Sequence, residues 1–204
     1  YNTLEMIRGK ILQKGDTASA DAISHLAAIF RGFVGSKTFI SLYDELAFSK
    51  HYLSLFETRY GDSVKILFDI DSDVLQYGII RNVLQPLIEN YFIHGFDTSS
   101  SSNYIKISGE SKDEHSFILT VEDNGTGMTD EELESLNMEL QQPISIDTKS
   151  YGLKNLHQRL QLFYGEDCGL KIVKNQDKGL SIHITVLKMT CQEYELKNKQ
   201  NKTL

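Results

Sequence analysis

The stretch Asp123-Asn124-Gly125-Thr126-Gly127-Met128 decides the reading of this chain. Ahead of it, Phe117, Leu119 and Val121 alternate with Ile118, Thr120 and Glu122, the period of a β-strand. A strand that ends in a carboxylate and two closely spaced glycines suits a nucleotide pocket. An ionised carboxylate only accepts hydrogen bonds, so Asp123 can receive an exocyclic amine such as that of adenine. Gly125 and Gly127 let the backbone turn sharply and approach a flat ring or a phosphate with no Cβ in the way. An ordinary hairpin turn after an edge strand has the same composition, so the segment has to be read with its neighbours.

Upstream lies Gln85-Pro86-Leu87-Ile88-Glu89-Asn90-Tyr91-Phe92-Ile93-His94-Gly95. Apolar pairs at 79/80, 83/84, 87/88 and 91/92 predict a helix over 79–94, and Pro86 predicts a kink in it or a late start. Gln85, Glu89, Asn90 and His94 fall on the opposite stripe. Asn90 and His94 are four apart and share a face. An amide oxygen is a suitable hard ligand for Mg²⁺, which leans on substrate phosphates, and His94 could donate to a phosphate oxygen. The same stripe would also suit the wet side of an amphipathic helix. Downstream, Ser150-Tyr151-Gly152-Leu153-Lys154-Asn155-Leu156 opens a helix whose apolar stripe is Leu153, Leu156, Leu160 and Phe163. Its free amides make a phosphate seat, and a Gly-initiated core helix is the plainer alternative.

The order of the three segments resembles the N, G1 and G2 boxes of the GHKL ATPase superfamily, which includes gyrase B, MutL and the histidine kinases. The wording "LQPLIEN…HG", "DNGTGM", "YGLKNLHQRLQLFYG" and "YNTLEMI" is similar to sensor histidine kinases of the LytS/YesM type, over Tyr1 to about Leu187. The resemblance implies an α/β (α+β) two-layer sandwich of the Bergerat type, preceded by an N-terminal helical dimerisation and linker segment. Residues 1–61 would be that helical remainder, 62–190 the ATP-binding catalytic domain and 191–204 a polar tail.

The resemblance also implies ATP and Mg²⁺ as cofactors. Asn90 would hold the metal, and Glu89 would polarise a water or the attacking group. Asp123 would read the adenine amino group. Gly125, Gly127 and Met128 would surround base and phosphates. His94 would meet a phosphate, and Gly152 and Leu153 would begin the helix that receives the phosphates. Residues from Met128 to about Ser150 would form the ATP lid.

Three positions depart from the family's pattern: Ile93 where a Lys is common, Ser150 in place of a Gly, and Leu180 after Gly179 where a Thr is common. One phosphate-binding cation is thereby missing, leaving His94 or a lid lysine such as Lys149 to serve. The family's acceptor helix reads His-Phe-Leu-(Tyr/Phe)-Asn-Thr-Leu, so the acceptor His is expected three residues before Tyr1. The implied partners are a response regulator, whose Asp receives the phosphoryl group, and a second copy bound through the N-terminal helices. The chain would be the cytoplasmic part of a membrane-anchored sensor. Another GHKL ATPase driving a conformational cycle, or a non-catalytic ATP-sensing dimer module, would share the boxes.

Composition fits this frame. The 204 residues carry a formal net charge of −7, which argues against nucleic acid, since phosphate neutralisation needs a basic face. The two cysteines, Cys168 and Cys191, make neither a metal spacing nor a disulfide framework. No apolar run reaches the roughly 18 residues of a membrane span. Asp16 is expected to cap a helix to about Arg31, and Ser41 to Asp44 resembles a capping box for a helix ending near Tyr60. Strands are expected around 66–70, 104–110, 116–123, 169–174 and 180–187, with a second capping box at Thr129–Glu132. His25 reads as a packed or half-exposed helix residue, and His51, His115, His157 and His183 as surface positions. The end from Gln192 onward is expected to fray.

Overall fold

The computed structural model describes residues 2–33, 37–142, 151–166, 168–175 and 178–201. Two helices open the chain, α1 (Asn2–Gln13) and α2 (Thr17–Phe33), the second capped by Asp16, whose Oδ1 accepts the Ser19 amide at 3.0 Å. A short strand β1 (Phe39–Ser41) leads into α3 (Leu42–Tyr60), where the Ser41 hydroxyl caps the amide of Asp44 at 3.1 Å. Gly61 ends that helix at a positive φ of 55°. Strands β2 (Val64–Ile70) and β3 (Gly78–Ile80) follow, then helix α4 (Gln85–Asn90), which passes into a π-turn at Tyr91–Gly95. The second half runs β4 (Asn103–Ser111), β5 (Ser116–Asp123), α5 (Asp130–Leu140), α6 (Tyr151–Tyr164), β6 (Leu170–Lys174), β7 (Leu180–Leu187) and α7 (Cys191–Asn201).

The main sheet has the order β2-β4-β5-β7-β6. Only β2 and β4 run parallel; the other neighbours are antiparallel. The alternation read from the sequence is the alternation of burial. Ile105, Ile107, Phe117, Leu119, Val121, Ile182 and Ile184 are buried in one core with Leu87, Ile88, Leu156 and Leu160 of the helices. The other sheet face carries polar pairs: Lys106 with Asp69 at 2.8 Å, and the Tyr104 hydroxyl donating to Glu122 at 2.8 Å. Helices on one face of a mixed sheet make the expected two-layer α+β sandwich, with the N-terminal helices before it.

Three expectations need correction. Residues 79–84 are not helical, although all four apolar pairs are buried. Ile79 and Ile80 instead pair with Ile40 and Phe39 in a two-stranded sheet. The next amides are claimed by side chains: Ile80 donates to the Tyr164 hydroxyl, and Asn82, Val83 and Leu84 donate to Glu45, at 2.8–3.0 Å. Asn82 turns through φ 58°, and the helix starts late, with Pro86 in its first turn.

The C-terminal segment does not fray at Gln192. It forms α7 through Asn201, capped by Thr190, and Tyr194 is buried with its ring stacked on Phe39 at 4.3 Å. The polar composition hid one aromatic anchor. His157 is no surface residue either: it is 2% exposed, and its Nδ1 accepts the Leu170 amide at 3.1 Å. Burial holds its pKa below the usual histidine value.

Candidate functional site

The end of β5 turns away from the sheet at Asp123, which is 6% exposed. Its Oδ1 accepts the amides of Gly125 at 2.8 Å and Leu180 at 3.4 Å. Oδ2 is left without a hydrogen bond among the described residues. Burial raises the pKa of this carboxyl, and the two amides oppose the rise. The next residue, Asn124, is structural. Its amide bridges the Tyr104 N–H and the Ser102 carbonyl, tying the turn to β4.

Two glycines hold this turn against its neighbours. A Cβ on Gly125 would stand 2.3 Å from the Gly95 carbonyl oxygen. That oxygen accepts the Thr126 amide at 2.9 Å, and the Thr126 hydroxyl donates to the His94 carbonyl at 3.0 Å. Gly125 is therefore small because the π-turn lies against it, and any room it gives a base is secondary. Gly127 needs its φ of +71°. Gly179, with φ +94°, would place a Cβ 2.1 Å from the Asp123 carbonyl.

The facing wall is the π-turn, closed by an i→i+5 bond from the Phe96 amide to the Tyr91 carbonyl at 2.8 Å. Asn90 and His94 both line the pocket, as their spacing predicts. Aromatic stacking fixes this wall to α3: Phe92 lies on Phe56 with ring centres 3.8 Å apart. The small inner pocket is lined by Asn90, Tyr91, His94, Gly95, Asp123, Thr126, Gly127, Met128 and Leu180. It adjoins a cleft of about 600 Å³ lined by Asn90, His94, Gly127, Met128, Leu153 and four polar residues of α5: Glu131, Glu132, Ser135 and Glu139. The expected site residues Asn90, His94, Asp123, Gly127, Met128 and Leu153 thus converge. Gly152 sits in the first turn of α6 with open space where a Cβ would go.

Glu89 does not join them. It lines neither the inner pocket nor the cleft. Its Oε1 accepts the Tyr52 hydroxyl and the Gln85 amide, both at 2.8 Å, which makes it a tether between α4 and α3. A second carboxylate does similar work unannounced by the sequence. Glu45 is 2% exposed, and its two oxygens receive the three amides that lead into α4. Burial raises its pKa, and the three amides and Arg159 oppose the rise. Its place in an acidic first turn gave it the look of an ordinary helix-start residue.

Of the expected lid, Met128 to Gln142 is described. Its helix α5 starts with a full capping box between Thr129 and Glu132. Residues 143–150, including Lys149 and Ser150, lie outside the described residues. Ile93 is 70% exposed, and no Lys or Arg lines the cleft among the described residues. The arrangement can accept an amino group at Asp123 and offer an amide and an imidazole from Asn90 and His94. The described residues contain no cluster of three or more His, Cys, Asp or Glu fit for a metal. Asn90 offers an amide oxygen of the hard type that Mg²⁺ accepts.

Comparison with known proteins bears on the fold and the family. The family model described as "Histidine kinase" matches residues 1–64. A putative uncharacterized protein, YwpD, of Bacillus subtilis (strain 168) is 28% identical over 200 residues, 98% of this chain and 69% of that protein. Sensor histidine kinase YesM of the same organism is 29% identical over 187 residues, 91% of this chain, so that the match spans only 30% of YesM. In structure, the histidine kinase domain of the Erythrobacter litoralis EL346 blue-light activated histidine kinase superposes with TM-score 0.51 at 15% identity, covering 96% of this chain and 86% of that one.

Proposed function

We propose that the chain is a sensor histidine kinase of the LytS/YesM type, which binds Mg·ATP between Asn90 and Asp123 and transfers the γ-phosphoryl group to a histidine, a reading supported by the family model over residues 1–64 and the likeness to YesM. The phosphoryl group would then pass to an aspartate of a response regulator. The single observation that carries the reading is the buried Asp123 carboxyl, with one oxygen engaged by backbone amides and the other unspent, beside Asn90 and His94.

Each residue has a task. Asp123 receives the base's amino group. Gly127 gives the left-handed turn that carries Met128 into the pocket wall. Asn90 holds the ion, and His94 donates to a phosphate oxygen. The amides at Gly152 and Leu153 receive phosphates at the start of α6. Bound Mg²⁺ supplies charge neutralisation on the phosphates. Apart from that, the protein's part is positioning, which phosphoryl transfer chiefly requires. Glu89 acts through the wall it tethers.

In this reading the nucleotide-binding unit reaches back beyond residue 62 to take in β1 and α3, whose Phe39, Leu42, Leu46 and Leu53 are buried in its core, and α1 and α2 pair with a second copy. No helix among the described residues is long and apolar enough to cross a membrane. The chain would serve as the cytoplasmic portion of a membrane sensor.

The test uses γ-labelled ATP, Mg²⁺ and a separate peptide carrying His-Phe-Leu-Tyr-Asn-Thr-Leu. Acid-labile phosphate should appear on the peptide's histidine and vanish with Asn90→Ala. Steady ATP hydrolysis with no phosphohistidine would replace this reading with a conformational ATPase. Nucleotide binding with neither product would leave a sensing module.

A further inference from the structure

The inner pocket contains a polar group that the family resemblance does not assign. Tyr91 follows Asn90 directly, lines the pocket beside Asp123, and is 1% exposed. Its hydroxyl is buried with no hydrogen-bond partner among the described residues. The ring is well held: it lies edge-on to Phe92 and Phe96, with centres at 4.9 and 6.1 Å. The point where a Gly95 Cβ would stand is 3.0 Å from the Tyr91 ring and 3.6 Å from Asp123 Oδ1, so ring and carboxylate flank one spot. A buried hydroxyl without a partner is costly, and native proteins seldom keep one for packing alone. Phenylalanine would fill the same volume without that cost.

We propose that the Tyr91 hydroxyl is a base-reading group that donates to a ring nitrogen of the nucleotide while Asp123 receives the neighbouring amino group. This rests on the placement of the base at Asp123 argued above. An acceptor beside a donor is the complement of an edge that sets an amino group next to an unprotonated ring nitrogen. Adenine presents that edge twice, as its amino group with N1 and with N7. Hypoxanthine presents a carbonyl next to a protonated N1, so an inosine nucleotide would set its oxygen against the Asp123 carboxylate. Burial, with the nearby Asp123 charge, holds the phenol pKa above its ordinary value, so the hydroxyl keeps its proton as a donor. The pair makes the pocket selective for the base and leaves the phosphate end to Asn90, His94 and α6.

The experiment compares the protein with its Tyr91→Phe variant by calorimetry, using ADP, 1-deaza-ADP, 7-deaza-ADP and inosine diphosphate, and by thermal melting without nucleotide. The variant should bind ADP about 2- to 10-fold more weakly, the worth of one neutral hydrogen bond. It should show no such loss for whichever deaza analogue lacks the nitrogen that the hydroxyl reads. Its melting temperature without nucleotide should be unchanged or higher, because an unpartnered hydroxyl has been removed. Inosine diphosphate should bind more weakly than ADP to the parent protein.

Equal ADP affinity in parent and variant would overturn the proposal, as would an equal loss for ADP and both deaza analogues. A lower melting temperature would also overturn it, since the hydroxyl would then have a structural partner. Asp123→Asn serves as the control on the underlying reading. If that variant loses ADP binding and Tyr91→Phe does not, the site stands and only the Tyr91 assignment fails. If neither loses binding, the base does not sit at Asp123.

Discussion

Replacing Gly125 by Ala is the sharpest perturbation the structure offers. The added methyl would lie 2.3 Å from the Gly95 oxygen, 2.6 Å from its carbonyl carbon and 2.7 Å from its Cα. All three atoms are backbone, so no side chain can swing aside. Gly125 does not need a positive φ, so the cost is steric. Restoring ordinary van der Waals distance requires the turn after β5 and the π-turn to part by about 1 Å. Overpacking of this kind costs about 1–3 kcal/mol. Parting the seam also stretches the hydrogen bond from the Thr126 amide to Gly95, worth about 1 kcal/mol. The expected loss of stability is therefore about 2–4 kcal/mol. The functional loss should be larger in proportion. Asp123 rides on one side of the seam, Asn90 and Tyr91 on the other, so the pocket widens by the same shift. A misplacement of 1 Å at a reacting site costs on the order of 10²-fold in rate. Urea denaturation should show a lower midpoint at unchanged slope, and phosphoryl transfer should fall by about that factor. A Gly125→Ala protein with parental stability and parental activity would refute the claim that this seam sets the pocket.

Gly152→Ala should behave in the opposite way: its Cβ position is open and it sits in a helix, so stability should hold or rise by up to about 1 kcal/mol in denaturant melts. Tyr194→Ala should destabilise by about 3–5 kcal/mol, as emptying a buried aromatic site does, whereas a truly frayed tail would give no change in the same melts. The share of stability that rests on neutral His157 should be lost as pH drops below about 6.5, because burial depresses its pKa and the unfolded chain then takes up the proton first. His157→Gln should flatten that slope without abolishing it, since His183 is depressed in the same direction, and an unchanged slope in pH-dependent melts would contradict the assignment.

The strands were legible because their alternation is clean. Leu180, Ile182, Ile184 and Val186 face the core with no exception. The boxes were legible because they are local: Asn90 and His94 reach the same pocket from one turn, and Asp123 and Gly127 from another. What the sequence hid is long-range. Nothing near Ile79 and Ile80 announces Phe39 and Ile40 as partners, so burial on a 3- to 4-residue rhythm mimicked one long helix. Nothing in the sequence near Glu45 announces its three donors, which lie 37–39 residues away. His157 looked exposed because the amide that it accepts is 13 residues on, in another element. Tyr91 counted only as a member of an apolar pair, which describes its ring but not its hydroxyl.

The claim underneath all of this is that Asp123 reads an adenine base while Asn90 serves the metal end. Calorimetry of ATP with and without Mg²⁺, on the parent protein and on Asp123→Asn and Asn90→Ala, tests it most directly. Asp123→Asn should lose about 1.5–3 kcal/mol of binding whether or not Mg²⁺ is present, the worth of a charged hydrogen bond. Asn90→Ala should lose only the part of the affinity that Mg²⁺ adds. Unchanged ATP affinity in Asp123→Asn would contradict the account.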